Sequence, residues 1–345
     1  MIPHNKPTLG KEEEEAARRV IHSGWLSQGP EVEAFETEFC NFLGIPKGHA
    51  VAVSSGTSAL FLSLWALDSK NKKVNFPVYV CAAIRHAVGM VNGVESAIDI
   101  TSTSPNLDLK KIHDKKNSIK IIPHMYGIPI DLSNYNFKNI IEDCCQAIGA
   151  KVDNKYVGLQ GEIGIFSFYA TKLLTSGGQG GMIVSEKKEL IEKIKDYREY
   201  DYRKDQNRRF NFQMTDLQAA VGREQLKKLP RFLKKRENIF QKYKESGLDL
   251  LDVSKNDSQA KISPVRYRAI VKTKNSKKMI DYLATKGIES KIPTEDWELL
   301  GDPQLFPNAL GLTRNTVSLP IYPSLSDDEV SKIIQSTKLF FDKMD

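Results

Sequence analysis

Lys172 stands alone between an apolar run and a cluster of glycines in FSFYATKLLTSGGQGGMIVS, Phe166 to Ser185. A lone cation so placed can clamp a phosphate, sit in solvent as a surface charge, or serve as an amine nucleophile. A P-loop clamp is excluded, because that loop sets its glycines before the lysine and a helix after it. Here the glycines follow, and GGMIVS (180–185) reads as another strand. A lysine in an apolar, glycine-lined pocket can have a lowered pKa and react as a free amine. On this segment alone, an exposed loop lysine is the simpler reading.

Two other segments bear on the choice. In SSGTSAL, Ser54 to Leu60, a strand stops, Gly56 permits a tight turn, and a helix begins with Thr57 and Ser58 in its first turn. Free N–H groups and the positive end of a helix dipole suit a phosphate there, although an ordinary Ser/Thr cap explains this motif by itself. In IIEDCCQA, Ile140 to Ala147, an apolar strand delivers Glu142 and Asp143 at its end, with Gln146 three positions later. A carboxylate there is often a cap or a surface charge; opposite a cationic ring nitrogen it would keep that nitrogen protonated. Ser167 lies in the strand before Lys172. Jointly the segments call for a phosphate, an aromatic ring with a protonated nitrogen, and an aldehyde for a lysine. Pyridoxal 5′-phosphate has all three.

The elements that must position these residues are short β-rich runs alternating with helical patterns, the pattern of a mostly parallel sheet covered by helices. Strands are predicted at 49–55, 73–78, 95–100, 118–124, 138–144, 163–168 and 180–185, with a helix over 57–67. Ligands in such sheets bind beyond the carboxyl ends of the strands, where all three segments fall. After Ser185 helical patterns follow: EKKELIEKIKDYREY, then 214–229, then LPRFLKKRENIFQKYKESG. A second unit is predicted from about residue 250, with the strand VRYRAIVKT, the helix SKKMIDYLATKG and a C-terminal helix capped by Ser326.

The 345-residue chain is 40% hydrophobic and 27% charged, as expected of a soluble globular protein with one large domain and a smaller one. The start, MIPHNKPTLGKEEEEAARR, has no apolar core, and no run is long enough to cross a membrane; a cytoplasmic protein is expected. The net charge of +7 is dispersed in basic pairs interleaved with acids, which reads as solvated helix faces and not as a nucleic-acid groove. Cys40, Cys81, Cys144 and Cys145 form no CxxC and no His–Cys zinc spacing, so no metal is expected; reduced thiols fit best, with the Cys144–Cys145 pair buried.

Several blocks, in order, resemble the DegT/DnrJ/EryC1/StrS family of sugar aminotransferases, which have the aspartate aminotransferase fold (type I). They are SGWLSQGPEVEAFETEF (23–39), VSSGTSAL, IEDCCQAIGA, FSFYATK with GGQGGMIVS, FNFQMTDLQAAVGREQL, FPNALGL and SLPIYPSLSDDEV. The resemblance runs nearly end to end. It implies an α/β pyridoxal-phosphate-dependent transferase fold, with a large cofactor-binding domain (1–248) and a smaller C-terminal α+β domain (249–345). Lys172 matches the lysine that holds the cofactor as a Schiff base. Asp143 matches the acid paired with the pyridine nitrogen, and Gln146 the residue near the ring hydroxyl. Thr57, Ser58 and Ser167, with Gly56 in the turn, match phosphate-binding positions. Asn211 matches an asparagine that reaches the phosphate of the neighbouring subunit, implying a homodimer with sites at its interface.

The resemblance further implies amino transfer from glutamate to a nucleotide-linked keto-sugar. Arg208 and Arg209 are candidates for the diphosphate by charge and position; a solvated basic pair is an equal reading. The pattern is broken in places. The position of the aromatic residue that often stacks on the cofactor is held by Cys81, leaving Tyr79, another group or nothing to do so. Gln179 replaces the Glu of GEGG, Gln213 an Arg or Lys, and Ile148 a His, while KIPTEDWELLG departs from the family's usual loop. These changes bear on the sugar more than on the cofactor chemistry. Relatives that perform 3-deoxygenation carry histidine in place of Lys172; lysine-containing relatives that aromatise a ring stay open. A regulatory or nucleic-acid-binding protein retaining the fold would draw support from the +7 charge, but would have no need of Lys172, Asp143, Gln146 and Asn211 together.

Overall fold

The computed structural model describes residues 1–253 and 260–343. The strands are β1 (Ala50–Val53), β2 (Lys73–Pro77), β3 (Val94–Ile98), β4 (Ile119–Pro123), β5 (Ile140–Asp143), the hairpin β6 (Lys151–Val152) and β7 (Lys155–Tyr156), β8 (Ile163–Ser167), β9 (Gly181–Val184), β10 (Ile262–Ser263), β11 (Ala269–Lys272) and β12 (Thr316–Leu319). The helices are α1 (Lys11–Ser23), α2 (Pro30–Leu43), α3 (Gly56–Ala66), α4 (Ala83–Met90), α5 (Lys188–Arg198), α6 (Asp216–Glu245), α7 (Ser276–Thr285), α8 (Pro307–Arg314) and α9 (Asp327–Asp342). None of the described helices is long and apolar enough to cross a membrane.

Seven strands form one sheet in the order β1-β9-β8-β5-β4-β2-β3. Pairs from β8 through β5, β4 and β2 to β3 are parallel, whereas β9 runs antiparallel to both β8 and β1. The inner strands are mostly apolar because helices cover both faces, with Asn75, Lys120 and Glu142 buried among them. Leu60, Leu64, Ile84, Val88, Ile191 and Ile194 of α3, α4 and α5 close one face. Phe35, Phe39, Leu226 and Leu229 of α2 and α6 close the other. Helix α3 lies deepest, with eight of its eleven residues buried, so it has no polar face to offer solvent.

Two predicted helices, 214–229 and the segment from Leu229, are one 30-residue helix that runs through Pro230. Proline removes one intrahelical bond and normally breaks a helix. Here the two halves are pinned by separate cores: Leu226 and Leu229 against the main sheet, and Ile239, Phe240 and Tyr243 against β11, β12 and α9. Its first residue, Asp216, also accepts the N–H groups of Gly29, Glu31 and Val32, tying the start of α6 to the start of α2. The strand predicted at 265–273 is the shorter β11, paired antiparallel with β12. Ser326 caps α9 as expected, in a reciprocal arrangement with Glu329.

Beneath the strand ends lies a buried polar knot. The Glu142 carboxylate, 0% exposed, accepts N–H groups of Gly158, Gln160 and Gly161 at 2.9, 2.6 and 2.8 Å, and His124 Nε2 at 3.0 Å. Burial alone would raise its pKa; the His124 bond and these backbone donors outweigh that and hold it below the ordinary value. His124 Nδ1 accepts the Ile130 N–H, which leaves the proton on Nε2 facing Glu142. With Cys144, these groups are close enough to hold a metal, yet the His and Glu atoms are already committed to protein hydrogen bonds.

The loop carrying Gly158 presses on β8, where a methyl added at Gly164 would lie 2.6 Å from Gly158 Cα. Because the obstacle is backbone, Gly164→Ala is expected to cost about 1–3 kcal/mol. Thermal unfolding of the variant checks this; an unchanged midpoint would refute the tight packing.

Candidate active site

The carboxyl ends of β5 and β8 and the start of α3 enclose a pocket of about 340 Å³, lined in part by Gly56, Thr57, Asp143, Gln146, Ser167 and Lys172. Segments nearly 120 residues apart are brought together because β8 lies beside β5 while β9 returns to β1, the strand that feeds α3.

At the α3 end, Ser55 Oγ takes the Ser58 N–H at 3.0 Å and the Ser55 carbonyl takes that of Ala59. Among the described residues no acceptor meets the N–H groups of Gly56 and Thr57. Thr57 is exposed, whereas the buried Ser58 hydroxyl contacts Ser54 Oγ and Ser55 Oγ, both at 2.9 Å. Ser58 therefore braces the turn. A methyl at Gly56 would meet Ser167 Cβ at 2.8 Å and Oγ at 3.1 Å, so only glycine lets the helix start come this close to β8. Two open N–H groups, two hydroxyls and a helix dipole form an anion cradle.

Asp143 ends β5, half-buried, with Oδ1 accepting the Cys145 N–H at 3.0 Å. Gln146 Oε1 accepts the Tyr126 N–H at 2.8 Å, which fixes its amide. Lys172 follows β8 in a turn whose N–H returns to the Tyr169 carbonyl, and Leu173 and Leu174 anchor it in the core. Its Nζ lies 5.3 Å from the centre of the Tyr267 ring. Burial pushes the Lys172 pKa down, but the fields of Tyr267, Cys145 and Asp143 outweigh it and the net direction is upward. The lowered value anticipated for an apolar, glycine-lined pocket does not arise, since acidic neighbours supply what solvent would have supplied.

Tyr79 is fully buried and outside the pocket, its hydroxyl 2.5 Å from that of Tyr126. The wall it was expected to offer comes instead from Cys81 and Cys145, and Tyr169 is the one Phe, Tyr or Trp among the lining residues. Cys145, expected to be buried, is half-exposed to the pocket, while Cys144 is buried. Arg209 is not free for a substrate: Asp196 and Asp205 grip its guanidinium at 2.7–3.0 Å. Arg208 is exposed. Asn211 is exposed outside the pocket, its Oδ1 accepting the Gln213 N–H at 3.0 Å. Gln179 lines the pocket, and its carbonyl accepts from Gln218 Nε2. His124 and Met125, not singled out in the sequence, also line it; their position just past β4 was the available signal.

This fold, with a lysine, a carboxylate and an anion cradle at its strand ends, defines an aminotransferase-fold protein. The chain belongs to the DegT/DnrJ/EryC1/StrS aminotransferase family, whose model matches residues 7–338. That family depends on pyridoxal 5′-phosphate. The chain is similar to a GDP-perosamine synthase of Vibrio cholerae, 28% identical with 99% of each chain covered. It is also similar to a dTDP-3-amino-3,4,6-trideoxy-alpha-D-glucose transaminase of Streptomyces venezuelae, 27% identical over 98% of this chain and 94% of the relative. The crystal structure of the aminotransferase TlmJ from Streptoalloteichus hindustanus shares the fold at a TM-score of 0.89, with 24% identity and all of both chains covered.

Proposed function

We propose that the protein is a pyridoxal 5′-phosphate-dependent aminotransferase that converts a nucleotide-linked keto-sugar to an amino-sugar, with glutamate as amino donor. The observation that carries this reading is the convergence of Lys172, Asp143 and the open Gly56–Thr57 cradle in one pocket. The nucleotide sugars in the relatives' names support the substrate class.

The residues fit the cofactor. The Gly56 and Thr57 N–H groups and the Thr57 and Ser167 hydroxyls hold its phosphate, with Ser58 bracing the turn. Asp143 keeps a proton on the pyridine nitrogen, and Gln146 serves the ring hydroxyl. Bound there, the cofactor supplies an electron sink for the carbanion left at the donor's Cα. Lys172 Nζ holds the cofactor and, once released, moves the proton from the donor's Cα. Of the arginine pair, Arg208 is left for the diphosphate. The same reading divides the chain near residue 248, which the separate core around β11 and β12 supports. It also makes the protein a homodimer in which Asn211 serves the partner's site, supported by the exposure of Asn211 and of the apolar side chains Trp25 and Phe210.

The test is a screen of nucleotide-linked keto-hexoses with glutamate, reading 2-oxoglutarate release; transfer to none of them would overturn the substrate class. The cofactor has its own test in Cys81, the exposed thiol of the pocket wall. Bound pyridoxal phosphate is expected to slow alkylation of Cys81 about tenfold or more, read by peptide mass spectrometry. Equal labelling with and without cofactor would place the ring elsewhere.

A further inference from the structure

Next to Lys172 lies a second cavity of about 50 Å³, lined by His4, Asn5, Thr171, Tyr267, Arg268 and Lys291. Asn5 Nδ2 binds the Thr171 carbonyl at 2.9 Å, so this cavity is fastened to the peptide unit just before Lys172. Its walls are cationic. Among the described residues, the hydrogen-bond contacts of Arg268 Nη1 are to His4 Nε2 and Ser318 Oγ, both at 3.4 Å. Behind the lining, the buried Arg236 guanidinium donates to the carbonyls of Tyr267 and Ile321, and its Nε has no partner among the described residues. Among the described residues no carboxylate lies within ion-pair distance of Arg236, Arg268 or Lys291. Glu289, two residues from Lys291, takes the His4 N–H on its Oε2 at 3.1 Å, and Glu237, next to Arg236 in sequence, is paired with Arg266 at 2.8 Å.

The surrounding groups register this imbalance. Burial first, then Arg268, Lys291 and Arg236, drive the His4 pKa down to about 2, so it adds no charge of its own. Burial would raise the Tyr267 hydroxyl; Lys172, Arg268, Arg236 and Lys291 outweigh it and pull the pKa below its ordinary value. Buried Arg236 and half-buried Arg268 are costly without an anion to complete them, and exposed Lys291 adds its charge at the mouth of the cavity.

We propose that Arg268, Lys291 and the Tyr267 hydroxyl receive the α-carboxylate of the amino donor. This rests on the reading of Lys172 as the reacting amine. The α-carboxylate is one bond from the carbon that bears the transferred nitrogen, so it must settle beside Lys172, where this cavity lies. A nucleotide diphosphate is held away from the reacting carbon by the sugar ring, and is too large for a space of about 50 Å³. The cavity has the size and charge for a single carboxylate.

The experiment compares wild type with Arg268→Gln and Lys291→Gln, each loaded with pyridoxal phosphate. Cofactor loading, read by absorbance and by borohydride fixation to Lys172, is expected to be unchanged. The glutamate concentration giving half the maximal rate of the donor half-reaction is expected to rise about 10–100-fold, the worth of a charge-assisted hydrogen bond. With isoglutamine, whose α-carboxylate is an amide, wild type and variants are expected to behave alike, because the partner group is already gone. An unchanged glutamate dependence, or an equal loss with isoglutamine, overturns the proposal. So does an equal loss of affinity for GDP or dTDP, which would assign the cavity to phosphate. Lys291 is exposed, so its variant keeps the test open should Arg268→Gln fail to fold. If wild type itself takes up no cofactor, the functional reading fails instead, and the two failures are distinct.

Discussion

Lys172→Ala is expected to lose transfer from glutamate by about 10⁴-fold or more, because in the proposed reaction one side chain both holds the cofactor and moves the proton, and a positioned acid–base group alone contributes about 10²–10⁴. The variant is expected to fold. Alanine removes a largely desolvated ammonium, and the turn is held by Leu173, Leu174 and the backbone bond to Tyr169, which the substitution leaves in place. Two measurements check this: glutamate-dependent turnover, and borohydride reduction followed by peptide mapping. Wild type should carry the reduced cofactor on the Lys172 peptide and the variant should carry none. Retained turnover, or fixation at another lysine, would show that the nucleophile was misassigned. Since acidic neighbours hold the Lys172 pKa above its ordinary value, the amine that captures the cofactor is a minority form at neutral pH. Capture by wild type should therefore accelerate as pH rises.

Asp143→Asn is expected to lower turnover by about 10–10³-fold while leaving stability nearly unchanged. A carboxylate within about 4–6 Å shifts a partner's pKa by about 1–3 units, so neutralising it reduces the protonated ring-nitrogen population by the corresponding factor. The structural bond survives, because an asparagine Oδ1 can accept the Cys145 N–H as Asp143 Oδ1 does at 3.0 Å. Neighbouring Glu142, which holds the surrounding loop through three backbone N–H groups, is untouched. The comparison of interest is therefore turnover against unfolding temperature. Equal activity of the variant and wild type would remove Asp143 from the reaction, and a large drop in stability would recast it as a folding residue.

Much of this architecture is legible in local patterns. The runs around 50–53, 119–123, 140–143 and 163–167 are brief and mostly apolar because each is covered on both faces, and such runs identify themselves. The Ser-Gly-Thr turn, the acid at a strand end and the lysine before its glycines are likewise local, and glycine order alone separates this lysine from a P-loop lysine. The kind of chemistry follows from these residue types.

Other features were beyond local reading. The continuity of α6 through Pro230 depends on two distant cores holding its halves, against proline's local tendency. The withdrawal of Tyr79 to a hydroxyl partner 47 residues away in sequence, and the commitment of Arg209 to Asp196 and Asp205, depend on contacts that no spacing encodes. So does the direction of the Lys172 pKa, set by Tyr267 on the far side of α6 in the chain. The sequence by itself determined which groups are available: an amine, an acid, a phosphate turn. Only the tertiary structure decided which are free, which are spent on one another, and that three cations with no acid partner among the described residues gather near Lys172. Availability is a property of residue type and local backbone, while charge balance and burial are sums over neighbours that only folding brings together.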